Sequence, residues 1–344
     1  MQLPAAFRAI ARSPQAGILG VLLASWTFLT LAAGSHADPG TGATVNNFLN
    51  AHTLIQMATD ASGFAIMGVG ATIVIVAGGI ALSVGAIYAL AGVVMAMVLR
   101  ELAPLAPVVA VTVGLVTAIG VAVLCGAVNG VMVVGLGVHP FIITLGTMWI
   151  LRGIAFVMSR AESVIVPNAL TGFAKATFGL GESIYPVPLL VMIAVAVAGS
   201  VFLTRTVAGR HVHAVGGNLE AARFAGLRIP RINLRVYVIS GLCAGIAAFL
   251  GAGYYGAATS SDANGYELYV IASAVVGGAS LTGGKGSAVS ATLGALLIVT
   301  IRQAIRTLHI DQNYEWIIIG SAMIAAVVLD QGGSRLVRRV RGAR

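Results

Sequence analysis

Long apolar stretches separated by short polar breaks run along almost the whole of this chain. A helix needs ~20 apolar residues to cross a bilayer. On that measure spans fall at about 15–34, 62–79, 82–99, 105–134, 140–159, 185–204, 236–258, 268–284, 287–306 and 315–331. The pattern predicts an all-α polytopic membrane protein of about ten transmembrane helices, with residues 1–344 forming one transmembrane domain. The one long polar interruption is 205–235, RTVAGRHVHAVGGNLEAARFAGLRIPRINLR. Its middle carries a helix signal of its own. Asn218 can cap the first free amides, 219–225 are good helix formers, Gly226 suits a left-handed stop and Pro230 prevents continuation. Ala221, Phe224 and Ala225 then share one face, framed by Glu220, Arg223 and Arg228. Such a knob fits a partner's groove; the plainer reading is a basic loop lying against lipid headgroups.

Charge orients the spans. With Arg8 and Arg12 inside, ten crossings put 205–235, Lys285 and the tail Arg335, Arg338, Arg339, Arg341 and Arg344 on the cytoplasmic side, 14 of the 20 basic residues. Both termini are then cytoplasmic. Glu267, with most other acids, falls outside, while Arg152 stays within a span, where a backbone carbonyl or an acid on another helix can pair with it. No small-residue cleavage site follows the first apolar run near Ser35, which reads as a retained span.

The chain also repeats itself. Residues 78–85 read GGIALSVG and 277–284 read GGASLTGG, identical at four of eight positions, with Ser83 aligned to Thr282. Both follow an apolar run entering from the same side, which suggests two parallel repeats, each with a Gly-broken segment. A helix is broken in lipid only where the freed backbone lines a cavity or packs against protein. Glycines also serve plain helix packing, as expected for Gly241 and Gly245 at GxxxG spacing.

Composition narrows the function classes. Hydrophobic residues make up 58% and charged residues 9%, against roughly 25% charged in soluble domains. The net charge of +9 comes mainly from arginines in one loop, the tail and the N-terminus, a membrane pattern rather than a nucleic-acid one. Cys125 and Cys243 both lie in apolar segments, so neither a disulfide framework nor a zinc site is indicated. GAGYYG at 251–256 has no preceding strand, and GGKGS at 283–287 lacks the first glycine and the hydroxyl of a phosphate loop. No cofactor is therefore expected on this chain, and any ATP belongs to a separate subunit. The six histidines sit mostly at span edges or in loops with no carboxylate pair at metal spacing, which disfavours a membrane enzyme. No acid falls near the centre of a span, which disfavours an ion-coupled secondary carrier.

Several separated segments carry a family resemblance: VAGGIALSVGAIYAL, GAVNGVMV with HPFIITLGTM and the following RG, TVAGRHVHAVGGNLEAARFAGL, YELYVIASAVVGGASLTGGKGS, and a final apolar helix ending in Asp330. Over about 55–332 the chain resembles the permease subunits of bacterial ABC importers of the ribose type, which serve ribose, xylose, arabinose and related sugars. The resemblance implies an inner-membrane pore of two permease copies, identical or paralogous. It implies two cytoplasmic ATPase domains binding ATP and Mg, and a periplasmic binding protein that delivers the solute. Glu220, Ala221, Ala222 and Gly226 match the importer coupling loop, to which Asn218 and Phe224 belong by the reading above. Gly78, Gly79, Gly277 and Gly278 match the family's two glycine signatures, making them, with Ala81, Ser83, Asn129 and Thr282, candidates for the translocation pathway. One departure stands out: Ala81 occupies the place of the usual aspartate, and a neighbour such as Ser83 or Asn129 can take over its hydrogen bonding. A nucleoside, polyol or amino acid remains an alternative solute for the same machine.

Overall fold

The computed structural model of the chain describes residues 14–37, 44–178, 185–321 and 324. Arg8, Arg12, Asp330, the basic tail at 332–344 and most of the last expected span lie outside the described residues. The helices are α1 (Pro14–Ala32), α2 (Ala51–Val76), α3 (Val84–Glu101), α4 (Pro107–Leu136), α5 (Pro140–Ser159), α6 (Asn168–Ala174), α7 (Val187–Arg205), α8 (Val207–Gly217), α9 (Leu219–Phe224), α10 (Ile229–Tyr255), α11 (Tyr266–Val276) and α12 (Ala288–Thr307). Helix resumes at 315–321. The described strands are short: β1 (Ser35–Ala37) pairs antiparallel with β2 (Thr44–Asn46), and β3 (Val164–Ile165) with β4 (Ala257–Ala258).

The chain is an all-α polytopic membrane protein. Among the described residues seven helices, α2, α3, α4, α5, α7, α10 and α12, are long and apolar enough to cross a bilayer. Shorter apolar helices lie at Gly17–Ala32 within α1 and at α11. Prolines in the first turns of α4, α5, α7 and α10 help to start them, since the amide a proline lacks would find no partner there. Pro230 is one of these: it begins α10 rather than merely ending α9, and 229–235 belong to a membrane helix instead of the loop. α2 likewise starts earlier than hydropathy suggests. Residues 51–61 carry His52, Gln56, Thr59 and Asp60, too polar to count as a span. They are nonetheless helical because Asn50 accepts the Thr53 amide at 2.7 Å and nucleates the first turn.

Packing places α2 at the centre. From Ala61 onward it is almost entirely buried, against α7, α10, α11 and α12. α10 in turn packs on α4, where Gly241 comes within 3.2 Å (measured from a built Cβ) of the Gly126 Cα and Gly245 within 3.0 Å of the Ile119 Cα. These are the packing glycines the GxxxG spacing suggested, and small residues let the two backbones approach. α4, α5 and α7 turn most of their surface outward, exposing Val116, Leu124, Trp149, Val157 and Val197. An apolar outer face of that extent suits lipid and not water.

Candidate functional site

α9 forms as expected. The Asn218 Oδ1 accepts the Ala221 amide at 2.9 Å, and Gly226 closes the helix at φ +77°. The Leu227 amide reaches back to the Ala222 carbonyl at 3.1 Å and the Gly226 amide to Arg223 at 3.0 Å, completing a Schellman cap. Ala222 is buried and anchors the helix. Ala221 and Ala225 are exposed, and Phe224 stands 90% exposed at the tip, so the apolar face points away from the chain. The expected loop is not a loop around one helix. α8 precedes α9 directly, and Asn218 is at once the C-cap of the first and the N-cap of the second.

The two glycine signatures share one geometry. α2 ends with Gly78 at φ +85°, its amide bonded to Ile75 and that of Gly79 to Val74. α11 ends with Gly278 at φ +87°, its amide bonded to Val275 and that of Ala279 to Ala274. Both are Schellman caps with the glycine in the left-handed position, a conformation that costs any residue with a β-carbon. This shifts the repeat by one residue: Gly78 corresponds to Gly278, not to Gly277. The breaks also differ in length, 77–83 against 277–287, so Ser83 and Thr282 are not equivalent. Ser83 is buried and its hydroxyl accepts from the Asn129 amide at 2.7 Å, whereas Thr282 is exposed and bonds Ser280 at 2.8 Å.

The structure thus divides the expected pathway residues. Gly78, Gly278 and Thr282 are exposed, while Gly79, Ala81, Ser83, Asn129 and Gly277 are buried in the chain. The first break is held by donors from other helices: the Tyr237 hydroxyl and the Thr144 hydroxyl both donate to the Ile80 carbonyl, at 3.3 and 3.1 Å. Asn129 was expected as a stand-in for the missing aspartate beside Ala81. It does bond Ser83, and among the described residues its own Oδ1 has no partner.

Both breaks meet α8. The Gly284 amide donates to the Val76 carbonyl at 2.9 Å, tying the second break to the end of α2. His213 on α8 donates through Nδ1 to the Gly284 carbonyl at 3.1 Å. Gly216, two residues before the α9 cap, lies so close that a β-carbon there would collide with the Val76 carbonyl and come within 2.7 Å of the Gly284 nitrogen. Gly283 packs on the same point, its built β-carbon 3.1 Å from the Gly78 Cα. His213, Gly216, Gly283 and Gly284 escaped the sequence reading. Their glycines were visible, in VGGN and GGKGS, but nothing local shows that segments about 70 and 200 residues apart converge.

Arg152 finds both kinds of partner its sequence position allowed. It donates to the carbonyls of Ser260, Asp262 and Ala263 at 2.9, 2.6 and 3.3 Å and lies 3.6 Å from Glu267. Glu267, expected at the outer side of the membrane, is buried in the bundle, where the turn at 259–265 folds onto Arg152. The carboxylate is paired, so it does not resemble the free titrating acid of an ion-coupled carrier.

Membrane-crossing helices thus surround a buried central helix, and two capped breaks join at one point among them. The chain belongs to the family described as "Branched-chain amino acid transport system / permease component", whose profile matches residues 53–327. The D-allose transport system permease protein AlsC of Escherichia coli K12 is 38% identical over 286 residues, covering 83% of this chain and 85% of the relative. The ribose import permease protein RbsC of the same strain is 35% identical over 291 residues, 83% of this chain and 87% of the relative. The fructose import permease protein FrcC of Rhizobium meliloti is 32% identical over 290 residues, 83% of this chain and 79% of the relative. No solved structure gives a significant match.

Proposed function

We propose that this chain is the membrane-spanning permease of an ATP-driven importer in the bacterial inner membrane, carrying a monosaccharide that a periplasmic binding protein delivers. ATP and Mg bind a separate cytoplasmic ATPase that docks on α9, and a second permease copy completes the pore. Both termini and α8–α9 face the cytoplasm. The observation that carries the solute class is the agreement of relatives named for allose, ribose and fructose over 83% of the chain. Support for ATPase docking comes from α9, which is anchored by Ala222, capped at both ends and tipped by an exposed Phe224.

A second reading is the same importer carrying a branched-chain amino acid, the solute in the family's description. Uptake decides between them. Cells expressing the permease with its ATPase and binding protein should accumulate a labelled monosaccharide, and an inactive ATPase should abolish this. Accumulation of leucine with no monosaccharide would move the solute class. Uptake that survives loss of the ATPase and collapses with the ion gradient would remove the ATP-driven reading altogether.

A further inference from the structure

At the end of the bundle opposite α9 lies a cleft of about 310 Å³. It opens where the start of α11, the last turns of α12 and residues 312–316 come together. Arg302 stands 14 residues beyond the start of α12, so about 21 Å along the helix from the glycine junction. The volume lies at the small end of the roughly 300–1,000 Å³ typical of small-molecule sites.

The floor of the cleft is charged yet neutral overall. Arg302 Nε lies 2.8 Å from Glu315 Oε1, a close ion contact whose angle falls short of a hydrogen bond, and the Tyr269 hydroxyl donates to the same oxygen at 3.2 Å. The guanidinium is stacked on Phe64 and Tyr269, at 5.6 and 5.5 Å from their ring centres. The Glu315 side chain is only 9% exposed. Both of its contacts end on Oε1, and among the described residues no donor reaches Oε2. A carboxylate oxygen without a protein donor is open to accept one from a ligand.

The walls complement that floor. Trp316 leans on Tyr269 with ring centres 5.4 Å apart and is 60% exposed, so much of the indole remains uncovered. Gln312 and Asn313, both exposed, add carboxamides that donate and accept at once. An uncovered aromatic face for C–H groups, planar amides for hydroxyls and one free carboxylate oxygen suit a polyhydroxylated ring. An amino-acid zwitterion needs a free cation for its carboxylate and a free anion for its ammonium, and here Arg302 and Glu315 already neutralise each other. An interfacial tryptophan that only anchors the helix in lipid would require neither the buried pair nor the amides.

We propose that this cleft, floored by Arg302 and Glu315 and walled by Tyr269, Trp316, Gln312 and Asn313, binds a neutral monosaccharide on its way into the permease. The proposal rests on the sugar-importer reading and is tested separately from it. In the complete transporter, Trp316→Ala and Asn313→Ala should each lower maximal uptake of the transported monosaccharide about tenfold at unchanged permease level, the order expected for one lost stacking or hydrogen-bonding partner. Trp149→Ala, on the exposed side of α5 away from the cleft, should stay near wild type. Saturation-transfer NMR on the purified transporter, with D-allose, D-ribose and D-fructose as probes, should show sugar signals that Trp316→Ala removes. Wild-type uptake and undiminished NMR transfer in both cleft variants would overturn the site while leaving the importer reading intact. Equal losses in Trp149→Ala and Trp316→Ala would make both mere membrane anchors and overturn it likewise. Uptake of L-leucine with no monosaccharide would overturn both the site and the reading beneath it.

Discussion

Gly216 and Gly217 stand side by side in α8, and substitution treats them differently. A methyl group at Gly216 meets the Val76 carbonyl and the Gly284 amide, backbone on both sides, so no flexible side chain can swing away to make room. A methyl at Gly217 meets nothing within 4 Å. Gly216→Ala should therefore destabilise the permease by about 1–3 kcal/mol, the usual penalty of overpacking, and reduce transport. Gly217→Ala should match wild type. Thermal unfolding in detergent, paired with uptake in cells, checks both. Normal melting and normal uptake by Gly216→Ala would show that the junction yields more readily than its geometry implies.

Among the described elements, α9 carries the most exposed large hydrophobic side chain, Phe224. Its caps satisfy its ends locally and Ala222 fixes it to the bundle, so the helix holds its shape while Phe224 projects. Phe224→Ala removes the projection without touching the fold. The variant should reach the membrane at wild-type level and capture less ATPase in a pull-down. Gly226→Val acts differently: it forces a β-branched residue into a left-handed position at a cost of roughly 1–2 kcal/mol. That is too little to unfold the protein but enough to tilt the knob, and solute-stimulated ATP hydrolysis should fall. Full ATPase capture and stimulation in both variants would return α9 to the plain role of a headgroup-facing loop. Asn218 caps α8 and α9 together, two residues from Gly216, where both breaks converge.

For the whole molecule, orientation is the first question. The arginine bias predicts that α8 and α9 are cytoplasmic, and the native Cys125 and Cys243 are both buried, leaving little background for thiol labelling. A membrane-impermeant maleimide should leave Gly217→Cys unmodified in intact cells and react after the membrane is opened. Reaction in intact cells would invert the topology. Much of this architecture was legible in local pattern. Apolar runs of helix length are sufficient to name membrane helices because a backbone in lipid has to satisfy its own hydrogen bonds. The α9 caps could be read because they are made by residues three to five apart, Asn218 with Ala221, Gly226 with Arg223 and Leu227 with Ala222. The left-handed glycines could be suspected for the same reason. Folding alone revealed which break residues face outward and that Gly78 answers to Gly278. It also revealed that Glu267 turns inward to Arg152 and that Arg302, Glu315 and Trp316 share a cleft. Those relations join segments tens to hundreds of residues apart. Hydropathy and helix-end signals describe how a stretch of chain meets its immediate surroundings, whereas partners such as Val76, Gly216 and Gly284 are chosen by how the helices pack.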